Sequence, residues 1–491
     1  MYMKKFQPLL CLLSLALAVG ARADRPLVSY LFSDNMVLQR NAKDPIWGWT
    51  KPDTLVLVSV NGNGFSNSYR NFSNANGRWQ IDLAPRPAGG PYSLSIHTAL
   101  GSKSFHNILF GDVWLCSGQS NMEFGVGNLL NAQQEIANAN YPNIRLYSVR
   151  LIASPVKRVN LTAPGSDKNS EWLVCNPDNI KVGSWNGFSA VGYLFGRDLY
   201  QKLKIPIGLI HSSWGGTPAE AWTNSVEIEQ MPDFQSALAK VKADSSANSK
   251  SFGIMPSSPT VLYNSMIRPL IPFAIKGVIW YQGESNEGRG KQYSKLLPRM
   301  IDGWRQKWGE GNFPFLIVQL PNWLPPKPEP SESAAAEVRE AQMITAEKVP
   351  NTGVICTIDI GDIQDIHPKD KQDVGKRLAL LALAQVYHKH VVYSGPRFKS
   401  MVKKGSRLII HFTHTEGGLV VKGAELKGFA IEGADHKWVW ASAKVSGSSV
   451  ILSAAEVSDP IAARYDWADT PDADLFNGAG LPAFPFRTDS W

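Results

Sequence analysis

Cysteine is scarce in this chain, with four in 491 residues, one of them Cys11 inside an apolar N-terminal stretch. The other three, Cys116, Cys175 and Cys356, are odd in number and show no metal-type spacing. That excludes a disulfide framework and a cysteine-built zinc site. Cys116 and Cys356 lie in apolar runs and read as buried thiols, while one disulfide among the three stays open and unassigned. Beyond residue 24 no apolar run is long enough to span a bilayer, and no repeat or low-complexity tract stands out. Charged residues make up only 19%, and the basic ones behind the net charge of +8 are scattered. A nucleic-acid partner is therefore not expected, although the positive balance helps anionic ligands approach.

What is present begins with an address. Lys4 and Lys5, the apolar residues 9–19 and Ala21-Arg22-Ala23 form the pattern of a secretory signal cleaved after Ala23. A secreted or periplasmic mature chain starting at Asp24 is the expectation. Cys11 lacks a small residue before it, so no lipid anchor is expected. The length is too great for one core and predicts two or three domains. Sixteen tryptophans, 41 glycines and 32 prolines suit a turn-rich protein with much β-structure.

Residues 24–106 alternate apolar and polar at 54–60, 77–81 and 91–97, with turn clusters at 61–64 and 88–91. This predicts an N-terminal β-sandwich module. Over 107–390, unbroken apolar runs at 111–116, 205–210, 275–280, 314–320 and 354–360 alternate with helical patterns at 189–203, 293–308 and 374–386. The fold class this predicts is α/β, a parallel sheet with helices on both faces. Strand-like patterns return at 407–412, 418–421, 437–444 and 449–453, so 391–491 reads as a C-terminal β-rich module. Its last stretch, 464–491, reads as an ordered tail packed over another domain.

In a parallel sheet, ligands bind at the carboxyl ends of the strands. Four such ends carry polar clusters: Gln119-Ser120-Asn121, His211–Thr217 with Gly215-Gly216, Gln282–Asn286 with Glu284, and Asp362–His367 with Gln364 and Asp365. A serine on a tight turn after a buried strand is placed as a nucleophile, and an imidazole within reach would take its proton. Ser120 and His367 fill those roles. Donors for the resulting oxyanion are the backbone N–H groups of Ser120 and Gly215 and the amide of Gln282. Taken singly, each residue also fits a turn, a cap or a satisfied core group; four clusters at one sheet edge favour a shared cleft.

Gly111–Met122, Trp214–Thr217, Trp280–Asn286 and Asp365–Lys371 closely resemble the sialate O-acetylesterase family, a branch of the SGNH (GDSL-like) hydrolases. The likeness extends to Asn35–Arg40, Leu262–Asn264, Arg464–Trp467 and Pro485–Asp489, nearly the whole mature chain. It implies an SGNH-type catalytic domain over 107–390, with Ser120 as nucleophile and His367 as general base. Ser120, Gly215 and Gln282 would form the oxyanion hole, and no metal or organic cofactor is implied. Gln119, Asn121, Gly216, Glu284 and Asn286 are candidates for the substrate pocket. Many SGNH hydrolases carry an aspartate three residues before the histidine, where this chain has Gln364. The orienting group is thus either Asp365, reached through a turn, or a backbone carbonyl near Gln364.

The function implied is removal of O-acetyl groups from sialic acids, or from acetylxylan or another polysaccharide. A non-catalytic glycan-binding protein is the alternative of another class. A lipase-type α/β-hydrolase would need Gly-x-Ser-x-Gly, and Met122 breaks that pattern. Neither His411 with His414 nor His388 with His390 has the setting of a metal site. The oligomeric state stays open.

Overall fold

The apolar run at 111–116 is the final part of one 18-residue strand, Gly101–Gly118, around which the chain is organised. In the computed structural model, which describes residues 25–165, 169–246 and 254–490, this strand joins the antiparallel and the parallel parts of one 11-stranded sheet. Its first half pairs antiparallel with Gly89–Thr98. That strand pairs with Leu55–Gly62, which pairs in turn with Phe65–Phe72. A second layer, Asp44–Trp49 against Arg78–Leu83, buries Trp47 and Trp79. The expected boundary at 106–107 falls inside the strand. The change in pattern there marks a change in surroundings along one strand, from half-solvated and antiparallel to buried on both faces. The signal pattern and its cleavage site lie outside the described residues.

The second half of the strand runs parallel between Ile207–Ser213 and Gly277–Tyr281. The sheet order is Thr352–Ile355, Phe315–Val318, Gly277–Tyr281, Gly101–Gly118, Ile207–Ser213 and Tyr141–Ser148, with short antiparallel Leu173–Cys175 at the edge. Side chains alternate across this sheet. Trp114, Cys116 and Ile279 pack with Val191, Leu194 and Leu378 from the helices Ala190–Leu203 and Lys371–Gln385. Val113, Leu115 and Trp280 pack on the other face with Leu297, Trp304 and Val338 from Gly290–Trp308 and Ala334–Lys348. Each buried side chain of this size contributes about 1.5–3 kcal/mol. Helices on both faces free the carboxyl edge for loops.

The C-terminal region builds separate antiparallel sheets around its own core, which includes Leu408, Ile410, Ile431 and Leu452. The pattern at 437–444 predicts one strand; the structure has two, Trp438–Trp440 and Ser442–Ser446, in different sheets. The last residues cross back over the central region. Arg487 makes two bonds to the Glu340 carboxylate, at 2.9 and 2.7 Å, and buried Arg339 donates to the carbonyls of Ala468 and Asp469. Among the described residues no helix is long and apolar enough to cross a membrane. Cys116, Cys175 and Cys356 are free, buried thiols.

Candidate active site

Gly118 ends the long strand with φ +143°, and a Cβ there would sit 2.1 Å from the Tyr281 carbonyl oxygen. Only glycine lets the two strands finish this close together. Gln119 N–H donates to the same carbonyl, at 3.0 Å, and the chain turns at once into the one-turn helix Ser120–Glu123. The N–H groups of Met122 and Glu123 are satisfied by the Gln119 carbonyl. Those of Ser120 and Asn121 are left at the open start of the turn, as helix beginnings require. The Gln119 side-chain oxygen accepts from the N–H groups of Gly283 and Ser285, both at 3.3 Å, tying two of the four clusters together.

His367 comes from the loop before Lys371–Gln385. The strand expected over 354–360 stops at Ile355, and the chain then turns rather than staying extended. Asp365 Oδ1 consequently accepts from the His367 backbone N–H at 2.9 Å and lies 3.5 Å from its Nδ1. Among the described residues Gln364 bonds to Asp362, through its N–H at 2.9 Å, and its carbonyl receives no bond from the imidazole. The ring stands edge-on to Trp185, with centroids 4.8 Å apart. Burial, reinforced by Lys371 and opposed by Asp365, holds His367 below its ordinary value. That favours the neutral imidazole a base must be.

Asn121 joins the two segments. Its Nδ2 donates to the Ile366 carbonyl at 3.0 Å and to Glu284 Oε1 at 2.6 Å, and its Oδ1 accepts from Lys371 Nζ at 2.6 Å. Residues adjoining Ser120 and His367 are thus bonded directly to one another. The Ser120 and His367 side chains share no hydrogen bond with each other in this structure. Catalytic hydrogen bonds commonly tighten only around substrate.

Several residues differ from their expected places. Gln282 is fully buried, with its amide N–H groups donated to Asn286 Oδ1 at 2.7 Å and the Thr217 carbonyl at 3.3 Å, and its oxygen taken by Tyr293. A buried amide must be satisfied, and this one is satisfied by the scaffold, leaving no donor for an oxyanion. Asn286 is equally committed, accepting from Ala219 N–H and donating to Glu220. Asn121 is a hub of bonds within the protein. Gly215 lies hard against Ser120, its notional Cβ 3.2 Å from Ser120 Cβ, but its N–H donates to Glu123 Oε2 at 2.6 Å. Gly216 is exposed, with open space where a Cβ would stand. Burial raises both Glu123 and Glu284 above the ordinary carboxylate range.

Glu123, Trp185 and Lys371 escape the reading from sequence. Glu123 had a signal, standing three residues after Ser120 on the same helical turn. Lys371 closes the Asp365–Lys371 motif and had one also. Trp185 adopts φ +42° in a loop, and nothing in the local pattern marks it.

A family model described as carbohydrate esterase, sialic acid-specific acetylesterase, matches residues 110–384. The chain is 33% identical over 509 residues to the sialate O-acetylesterase of Mus musculus, covering 93% of each. It is 33% identical over 494 residues to that of Homo sapiens, covering 93% of this chain and 91% of the human one. The crystal structure of a novel carbohydrate acetylesterase from Xanthomonas citri matches with a TM-score of 0.83 and 36% identity, over 95% of this chain and all of the other.

Proposed function

Because this chain belongs to the sialic acid-specific acetylesterase family of carbohydrate esterases, we propose that it removes O-acetyl groups from sialic acids through an acyl-enzyme on Ser120. The chain is a serine ester hydrolase of the carbohydrate acetylesterase kind. Ser120 Oγ attacks the acetyl carbonyl while His367 takes the hydroxyl proton. The oxyanion gathers on the N–H of Ser120, with that of Gly215 available once Glu123 releases it. His367 then protonates the departing sugar oxygen. Water, activated by the same imidazole, releases acetate and restores the serine. Asp365 holds the imidazole in its working orientation. The observation that supports this reading is the Asn121 side chain bonded to the Ile366 carbonyl, which ties the segment carrying Ser120 to the segment carrying His367.

A second reading, an esterase for acetylated polysaccharide, is favoured by the half-exposed carboxylate of Asp365 beside the imidazole, which suits a neutral sugar better than a carboxylate-bearing one. Acetate release from O-acetylated sialic acid and from acetylated xylan separates the two. Faster release from the sialic acid is expected, and preference for xylan would overturn the sialate assignment. Ser120→Ala should abolish release from both while sugar binding persists. Retained hydrolysis would refute the serine mechanism. We further propose export behind the N-terminal signal pattern, with 24–106, 107–390 and 391–491 as N-terminal module, catalytic domain and C-terminal module. N-terminal sequencing of the exported chain, expected to begin at Asp24, checks the first of these.

A further inference from the structure

Behind the Ser120 turn lies a buried ammonium group that the mechanism above leaves without a task. Lys371 is the first residue of the helix Lys371–Gln385 and is fully buried. Two effects make a lysine costly there: its charge is withdrawn from water, and it stands at the positive end of a helix dipole. What offsets them is local. Nζ donates to Asn121 Oδ1 at 2.6 Å and lies over the rings of Phe124 and Tyr281, at 4.9 and 5.3 Å. Phe124 belongs to the nucleophile segment, and Tyr281 ends the neighbouring strand. The ammonium's hydrogen bond and both of its ring contacts are therefore to groups that frame Ser120.

The bond to Asn121 has a directional consequence. A carboxamide presents an acceptor on one side and donors on the other, and half a turn exchanges them. An ammonium can only donate, so it forces Oδ1 toward itself and Nδ2 toward Glu284 and the Ile366 carbonyl. Glu284 and the Ile366 carbonyl favour the same orientation from the donor side, and Lys371 is the partner that holds the acceptor side among the described residues. Its loss leaves Oδ1 without that anchor and loosens the link between the Ser120 turn and the His367 loop.

We propose that Lys371 is a positioning residue for the Ser120–His367 pair, locking the Asn121 carboxamide so that turn and loop keep a single separation. The inference rests on the serine mechanism proposed above. Charge adds a second effect. The groups facing Lys371 are Glu284, Asp365 and Asp370, which attract it, and the imidazole of His367, which it repels. Burial outweighs the attraction and pushes Lys371 down to about 7. Where His367 titrates, below its ordinary value, the ammonium is still largely protonated and opposes protonation of the base.

The test compares Lys371→Met, Lys371→Arg and Asn121→Ala with the wild type on 4-nitrophenyl acetate from pH 5 to 9, with a thermal melt of each. Lys371→Met should lower kcat roughly tenfold or more and leave KM within about twofold, because positioning acts on the reacting geometry. The acid limb of its kcat/KM profile should move to higher pH, as the base loses a repelling charge. Lys371→Arg should restore the limb, and Asn121→Ala should lose kcat with the limb unmoved. A folded Lys371→Met with kcat within twofold of wild type and an unmoved limb overturns the proposal, as does a change confined to melting temperature. Should Lys371→Met fail to fold, Asn121→Ala decides, and kcat within twofold overturns it. Ser120→Ala in the same assay keeps the two ideas apart: if it stays active the serine mechanism falls, whatever Lys371 does.

Discussion

Replacing Glu123 should make the enzyme faster on a small ester. The Gly215 N–H donates to Glu123 Oε2 at 2.6 Å, beside Ser120, so an oxyanion formed on the proposed nucleophile must displace a carboxylate to use it. A bond to a charged acceptor is worth about 1.5–3 kcal/mol and one to a neutral acceptor about 0.5–1.5 kcal/mol. Glu123→Gln keeps the shape and an acceptor but removes the charge, a relief of about 1 kcal/mol. Glu123→Ala removes the acceptor altogether, a relief of about 2 kcal/mol. At 1.36 kcal/mol per decade these become gains in kcat/KM of about fivefold and about thirtyfold. The assay is initial hydrolysis of 4-nitrophenyl acetate across pH, with a melt to show each variant folded. Burial raises Glu123 above the ordinary carboxylate range, so the competition is present at higher pH and fades as pH falls and the carboxyl takes its proton. The variants' advantage should shrink in that direction. A fall in kcat/KM for both folded variants would refute the reasoning, because it would make the bond a support for Gly215, not a competitor for it.

Asp365→Asn should lower kcat by about tenfold to a hundredfold. The contact at 3.5 Å is long and the carboxylate half-exposed, which keeps the loss below the roughly 10⁴ known for a buried triad acid. Its acid limb should move to lower pH, because Asp365 supports protonation of His367; an upward move would contradict the contact. Asp466, buried in the C-terminal tail, is pushed up to about 8. Its folded form therefore holds a proton that the unfolded form releases near pH 4, and stability drains away as pH rises from about 4 to about 8. Asp466→Asn escapes that loss. Its melting temperature should pull ahead of wild type through this window and keep a constant lead above it, and parallel curves would count against the burial argument.

The sheet edge was legible because strand-end chemistry is local. Gly118–Met122, Gly215-Gly216 and His367 could be found without coordinates, since each sits beside an apolar run whose burial is written in its composition. Orientation was not legible. Gln282 points into the scaffold because Asn286, Thr217 and Tyr293 surround it, and two of those partners lie outside its motif. The turn that brings Asp365 to His367 depends on where the preceding strand stops, and the apolar residues 354–360 do not mark that point. The helix Ala334–Lys348 was invisible for a related reason. Its buried face carries Arg339 and Gln342, which serve backbone carbonyls at Leu320, Pro321 and Gln282, so polar residues stand where periodicity seeks apolar ones.

The 18-residue strand from Gly101 to Gly118 ties the fate of the first hundred residues to the chemistry at its far end. A protease cut or deletion near residue 106 would not trim an appendage; it would sever the rod whose tip carries the Ser120 turn. Both halves of that rod should therefore melt together, and libraries that shuffle the N-terminal layer between relatives should splice at the turn before Gly101, with the strand inherited whole.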